Sequence, residues 1–471
     1  MLTRRNLLTA SLASATTGLL GCRKVIDSSA IRAGLIATPA APEPVDRLLS
    51  LPPGFTYVVL QRAGDIMSDG LMMPAQPDGM TCHVDAEGNY VLLRNHELGT
   101  TQWLADYGMD PAQFAAGRTD LQPDQPLGGV SKVTLHPRRL ARALQGRGGD
   151  DSRVLIDSRL ILNGTDRNCS GGRTPEGWIT CEESGRDGHG WAYRTEVTDT
   201  ELVDRDQRRL PSWGRFQREG VALDGRTGIA YQTEDNKVGA LYRHLPDDPA
   251  VPYGPGRLQA LRIDGVVHTD RHNEHGTLLD PDGEALEVGR PYDVQWVDIP
   301  DPAASELPCR EQALEAGASL ITRGEGIHQA PDGRVWFAAT SGGPEQAGQL
   351  WRLDPANNTL TLAYEVSDPS ILSLPDNLIV TPWGDLLLAE DNYHPTEVVR
   401  HQHLRALTPD GTVYDIARNE HVDWNDPTDV GAEFAGPCFS PDGRVLFVNL
   451  QYPEGATVAI TGPWPRGGVF S

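Results

Sequence analysis

Five residues at matching places in a repeated pattern carry the chemistry of this sequence: Asp78, Cys169, Glu219, Glu325 and Asp376. Each opens the first strand of a copy of the repeat, where an ordinary structural role would call for turn formers or apolar residues. Four carboxylates and a thiol brought to one channel repel one another strongly unless cations neutralise them. Hard carboxylate oxygens suit Ca²⁺ or Mn²⁺, whereas a thiolate calls for a softer ion such as iron, so a mixed site follows. For any one of these acids a solvated loop is the ordinary reading; the shared place in the repeat argues for metal. Glu97 and Asp235, which close the second strand of the first and third copies, join the candidate ligands. Arg323 stands two residues before Glu325 in Thr-Arg-Gly-Glu-Gly, and in a strand such residues share a face. A guanidinium beside metal ions suits a phosphate or another oxyanion, the plain alternative being simple pairing with a carboxylate. Lys132, after Gly128-Gly129-Val130-Ser131, is a weaker oxyanion candidate, and no strand-to-helix pattern makes that run a P-loop. His96 and His328 read as packed or hydrogen-bonded side chains rather than ligands.

The elements that must position these residues repeat one unit: a polar residue, a short strand, a Gly turn, a second apolar strand, more polar residues. Copies run from Asp78 through Gly88 to Glu97, from Cys169 through Gly177 to Glu183, and from Glu219 through Gly228 to Asp235. Three more run from Glu325 through Gly333 to Ser341, from Asp376 through Gly384 to Asp391, and from Gly436 through Gly443 to Asn449. Pro331-Asp332-Gly333 and Pro441-Asp442-Gly443 are hairpin signals, because Gly accepts a positive φ without steric cost. Radial repetition of hairpins predicts an all-β fold, a six-bladed β-propeller with loop insertions covering one face, a β-sandwich being the alternative. Irregular spacing marks 101–127, 198–212 and 250–315 as insertions, and no stretch reads as an amphipathic helix. In a propeller the innermost strands flank the central channel, so equivalent positions meet near its axis.

The bulk numbers fit. The chain has 471 residues, with Gly 50 and Pro 36 consistent with many tight turns. Lys+Arg 41 against Asp+Glu 65 gives a net charge of −24, which argues against a nucleic-acid or anionic-membrane surface. Arg4-Arg5 followed by a modest apolar run resembles a twin-arginine export signal, and Leu19-Leu20-Gly21-Cys22 resembles a lipoprotein box with Cys22 acylated. Residues 1–22 are therefore expected to be a signal, 23–50 a tether and 51–471 the propeller. The folded part is expected at the periplasmic face as a monomer, meeting the membrane only through its lipid. Cys82, Cys169, Cys181, Cys309 and Cys438 remain, an odd number with no CxxC, so a structural zinc site is not expected.

The run Asn168-Cys169-Ser170-Gly171-Gly172-Arg173-Thr174-Pro175 with Trp178-Ile179-Thr180-Cys181-Glu182-Glu183 resembles the PhoX-type alkaline phosphatases. Asp78-Gly79-Met80, Asn95-His96-Glu97, Gly214-Arg215-Phe216 with Glu219, Thr322 to Gly326, Pro375 to Leu378 and Ser440 to Gln451 extend the match. The resemblance implies a twin-arginine-exported six-bladed propeller that hydrolyses phosphate monoesters with an iron–calcium cofactor. It implies that Cys169 ligates iron, that Glu183 bridges metals, that Glu219 and Glu325 do likewise, and that Arg323 holds phosphate. The sequence departs from that family where a substrate-binding lysine is expected after the Glu-Glu pair: Ser184 to Tyr193 contains none, leaving Arg186 or His189 as substitutes. The family's Gln-His-Pro is here Gln451-Tyr452-Pro453. A metal-dependent phosphomonoester hydrolase is thus the leading expectation. A calcium-dependent lactonase or esterase, and a non-catalytic propeller stapled by metals, are the rivals. The lactonase needs no thiolate, so Cys169 separates the readings.

Overall fold

The computed structural model describes residues 48–102, 124–146, 154–270, 286–391, 401–420, 431–451 and 455–465. The export and lipidation residues, Cys22 among them, lie outside these, as does most of the expected insertion at 101–127. The described chain is all-β, with the named strands paired antiparallel in a propeller-like arrangement of sheets. Pro77–Val84, Tyr90–His96, Gly128–Leu135 and Leu155–Thr165 form one sheet, and Asn168–Arg173, Gly177–Glu182 and Ala192–Glu196 the next. Pro375–Val380, Leu386–Glu390, His403–Leu407 and Val413–Asn419 form another, and Phe434–Phe439, Leu446–Leu450 and Ala456–Thr461 a fourth. Its outer strand is Thr56–Arg62, so the start of the folded chain is zipped to its end. Leu49–Ser50, expected in the tether, instead pair with Val413–Asn419, and Leu49 is buried.

The third and fourth copies of the repeat share one nine-stranded sheet that runs from Arg218–Leu223 to Gly324–Gln329. Its two halves are joined by Pro291–Asp298, which pairs with Gly256–Ile263 on one side and with Thr359–Glu365 on the other. The region 250–315 is therefore not simply an insertion, since two of its segments are sheet strands. Three short helices also occur among the described residues, at Pro137–Leu144, Arg205–Arg208 and Cys309–Glu315. The first buries Leu140, Ala143 and Leu144 as a one-sided stripe, a pattern too short to stand out from the flanking polar sequence. None is long and apolar enough to cross a membrane. The apolar core lies between neighbouring sheets, for instance where Leu387, Leu404 and Ile416 meet Phe434, Leu446 and Val458.

Six strands, Pro77–Val84, Asn168–Arg173, Arg218–Leu223, Gly324–Gln329, Pro375–Val380 and Phe434–Phe439, each pack against the next, and the last against the first. Glycine lets them approach. A Cβ on Gly79 would stand 2.6 Å from Ser170 Cα, one on Gly326 2.5 Å from Leu378 N, and one on Gly436 2.2 Å from Asp78 O. Side chains of the second strands clamp the ring across sheets. Asn95 Nδ2 donates to Cys169 O at 2.8 Å, Thr340 Oγ1 to Pro375 O at 2.6 Å, and Asn449 Nδ2 to Asp78 O at 2.5 Å. Gly326→Ala should accordingly lower stability by about 1–3 kcal/mol through overpacking. Gly225→Ala, where an added Cβ meets nothing within 4 Å, should change it by less than about 0.5 kcal/mol. Thermal unfolding of the two variants checks this, and equal midpoints would show that the ring is not close-packed.

Candidate metal centre

The same irregularity recurs at the start of the inner strands. Pairing slips between Pro77 and Met80, Asn168 and Gly171, Arg218 and Val221, Gly324 and Ile327, and Pro375 and Leu378. Each slip leaves two residues opposite one, a β-bulge, the device by which a strand re-aims a side chain. The first residue of each bulge is Asp78, Cys169, Glu219, Glu325 or Asp376. The sixth strand slips one residue later, across Gly436-Pro437, and offers no ligand there.

Two further layers surround this one. The residue after each second strand donates its backbone N–H to the residue just ahead of the inner strand: Glu97 to Gln76, Glu183 to Arg167, Asp235 to Gln217, Asp391 to Leu374, Gln451 to Glu433. Thr340 does the same to Arg323. Four of the acceptor residues, Gln76, Arg167, Arg323 and Leu374, have φ between 45° and 52°, a left-handed backbone that costs a non-glycine residue energy and is common at functional sites. Arg167 and Arg323 thus hold the same place in the second and fourth copies.

Among the described residues three groups of side chains are close enough to hold cations: Asp78, Glu97 and Cys169; Cys169, Glu183 and Glu219; Glu219, Glu325 and Asp376. Within each, the ligand atoms lie within 4.8 Å of one another. Because Cys169 and Glu219 are each shared, the groups form one chain of positions. Arg323 grips Asp235 in a fork, Nε to Oδ1 at 2.9 Å and Nη2 to Oδ2 at 3.1 Å, while Nη2 reaches Glu325 Oε1 at 2.7 Å. Arg167 bridges Glu97, at 3.3 Å, and Glu183. Gln451 Nε2 donates to Asp78 Oδ2 at 2.6 Å and to Glu97 Oε2 at 2.8 Å.

Burial and mutual repulsion leave this cluster short of positive charge. Glu219 is 0% exposed, and among the described residues neither of its carboxylate oxygens has a hydrogen-bond partner; Asp78 Oδ1 and Asp376 Oδ1 are likewise orphaned there. Burial, then Asp376, Glu183 and Asp78, hold the Glu219 carboxyl well above its usual range. Burial and the neighbouring acids do the same to Asp78, to Glu325 and to the Cys169 thiol, and push Asp376 up to about 7. Orphaned oxygens on buried acids are what a cation would satisfy, so the residues fit metal ions. The thiol in the first two groups favours a transition metal, and the all-oxygen third favours a hard ion.

Asp78, Glu97, Cys169, Glu183, Glu219, Glu325 and Asp376 converge, and Asp235 joins them through Arg323. Arg186 is exposed and donates to the Asp124 carbonyl at 2.8 Å, making no contact with the acids among the described residues. His189 is taken up by Glu182, Nδ1 to Oε1 at 2.8 Å. Lys132 is committed to the carbonyls of Val197 and Asp199. His96 is buried between Ala75 O and Ser131 Oγ. Arg167, Asp391 and Glu433 are not among the expected site residues, Asp391 being read only as the close of the fifth copy; Glu433 is held well above its usual range by burial and then by Asp391, Asp78 and Asp376, which places it beside the cluster. Aligning the copies two residues further upstream would have put Arg167 level with Arg323.

Radially arranged β-sheets whose inner edges gather acids and a thiol define a propeller-like, all-β class with a candidate metal centre. The chain belongs to the family described as alkaline phosphatase PhoX, which matches residues 37–454. Among solved structures it is similar to Pseudomonas fluorescens PhoX in complex with vanadate, at 18% identity and TM-score 0.64, covering 92% of this chain and 99% of that one. A gluconolactonase from Xanthomonas campestris is more remote, at 11% identity and TM-score 0.34 over 91% of this chain and 100% of that one. No curated protein matches the sequence.

With acids held above their unfolded pKa values, the metal-free fold binds more protons than the unfolded chain, so its stability falls as pH rises from about 4 through 7. Chelator-stripped protein should melt several degrees higher at pH 5 than at pH 8, and adding Ca²⁺ at pH 8 should restore the midpoint. A stripped protein that melts higher at pH 8 would contradict the crowding of acids.

Proposed function

We propose that this chain is a metal-dependent phosphomonoester hydrolase working at one mouth of the central channel of a six-bladed propeller, the nine-stranded sheet being two blades joined through Pro291–Asp298. The observation that supports this is the place of the Cys169 thiol: it sits among buried acids in two of the three groups that could hold a cation, in a chain of a phosphatase family. Asp78, Glu97, Cys169, Glu183 and Glu219 would hold iron, and Glu219, Glu325 and Asp376 would hold calcium. The bound cations would polarise phosphoryl oxygens and ready the attacking oxygen.

The chain's own part is to orient the phosphoryl group. Arg323, held by Asp235 and Glu325, would exchange its grip on Asp235 for two oxygens of a phosphate, which its planar fork matches. Arg167, its counterpart across the cluster, is held by Glu97 and Glu183 and would supply the second cationic grip in place of the family lysine. The vanadate named for the Pseudomonas protein, a transition-state analogue there, is the kind of oxyanion such a pair would hold. Export through the twin-arginine route would let iron be loaded before the folded chain leaves the cytoplasm, with Cys22 carrying the lipid anchor.

Metal-replete protein should hydrolyse p-nitrophenyl phosphate and leave lactones untouched. Arg323→Ala should lower kcat/KM by about 10²–10³, and Arg167→Met by about tenfold or more, each with its metal content unchanged. Cys169→Ser should lose iron while keeping calcium. Hydrolysis of lactones alone, with Cys169→Ser harmless, would establish the lactonase reading. Full metal occupancy with neither activity, and Arg323→Ala silent, would establish the non-catalytic one.

A further inference from the structure

The central channel has a second end. A cavity of about 990 Å³ is lined by residues further along the inner strands, from Met80 to Cys82, Gly171 to Arg173, Ile327-His328 and Leu378 to Val380. None of the proposed metal ligands lines it. Its inner limit is the close-packed layer of Gly79, Ser170, Gly326 and Asn377, the second residues of the bulges. Arg173 is four residues beyond Cys169 on the same strand, roughly 13 Å along it. The two ends of the channel are therefore chemically separate.

One end gathers acids, and this one carries an uncompensated cation. Among the described residues no carboxylate lies within ion-pair distance of the Arg173 guanidinium, whose one hydrogen-bond contact is His83 Nδ1 at 3.5 Å. His83 Nε2 faces the carbonyl of Gly177 at 3.0 Å and must donate to it, which leaves Nδ1 as a bare acceptor that orients Arg173 without neutralising it. His328, on the cavity wall, accepts the Val380 N–H at Nδ1 and so carries its proton on Nε2. Burial and then Arg173 push both imidazoles down to about 4, so Arg173 supplies the charge. Asp442, also on the wall, is tied to Ser440 Oγ at 2.6 Å and to Arg444 at 3.6 Å. The same cavity has an aromatic wall: Trp383 stacks on Trp464 at 5.4 Å between centroids, and Phe439 meets both edge-on. A cavity of this size, mostly apolar with a few convergent polar groups, has the make-up of a small-molecule site.

We propose that this end of the channel binds a small organic anion, Arg173 taking its oxyanion head and the Trp383–Phe439–Trp464 wall its apolar body. The head can be carboxylate, sulfonate or phosphate, since a guanidinium fork serves each. The proposal stands apart from the hydrolase reading, because it uses no residue of the acid cluster.

The test is titration of the metal-replete full chain with 8-anilinonaphthalene-1-sulfonate, followed by fluorescence. Saturable binding of one probe per chain is expected, displaced by 4-phenylbutyrate. Arg173→Met should weaken it about tenfold or more, and Arg173→Lys, which keeps the charge and loses the fork, less. Arg173 is exposed, so both variants should keep the wild-type near-ultraviolet circular dichroism. Equal affinity in wild type and Arg173→Met, or binding that does not saturate at one site, would overturn the proposal. Displacement by inorganic phosphate as effective as by 4-phenylbutyrate would overturn the assignment of an organic ligand. A wild-type protein inert toward phosphate esters would leave each of these expectations as it stands.

Discussion

Like charges that cannot reach water govern this molecule. Asp78, Glu183, Glu219, Glu325 and Asp376 are all buried near one axis, and among the described residues Glu219 has no hydrogen-bond partner at either carboxylate oxygen. Removing a carboxylate from water costs several kcal/mol, and close neighbours of the same sign add to that. Arg167 and Arg323 compensate part of it, each touching two acids. The remaining charge has two remedies, protons or multivalent cations. The thiol of Cys169 stands amid the acids, where a multivalent cation would use it as a ligand and a proton on a carboxylate would not.

The fold exists to impose this crowding. A bulge in each of five inner strands throws one side chain toward the axis, glycine lets those strands pack backbone to backbone, and Asn95, Thr340 and Asn449 lock three of the six neighbouring pairs together. The outer strand Thr56–Arg62, borrowed from the other end of the chain, closes the ring against the spreading that like charges would otherwise cause. Left-handed backbone at Arg167 and Arg323 adds a local strain, tolerated where the guanidinium must turn back over the cluster.

The innermost layer was legible in the sequence because each of its residues is followed, at a near-constant interval, by a Gly turn that sets the register. Glu97 and Asp235 were legible for the same reason from the other side of the hairpin, whereas Glu183 came from family resemblance. Arg167 was not, because the residue ahead of a strand has no signature of its own and a positive φ leaves no trace in an arginine. Arg186 drew attention through its position after the Glu-Glu pair, but the loop that carries it turns outward. The joined nine-stranded sheet escaped notice because Pro291–Asp298 follows a long polar stretch and lacks the hairpin turn that marks the other strands. Pro137–Leu144 and Cys309–Glu315 escaped for want of a side-chain cap at His136 and Pro308, and Arg205–Arg208, though capped by Asp204, is a single turn too short to show a period.

The account rests on cations occupying the acid cluster, and elemental analysis of the protein purified after export, without added metal, tests it most directly. It predicts iron at about one equivalent or more per chain together with calcium, both released only as the fold loosens. A folded chain carrying less than about half an equivalent of every multivalent cation, and unchanged in melting temperature by chelator, would contradict it.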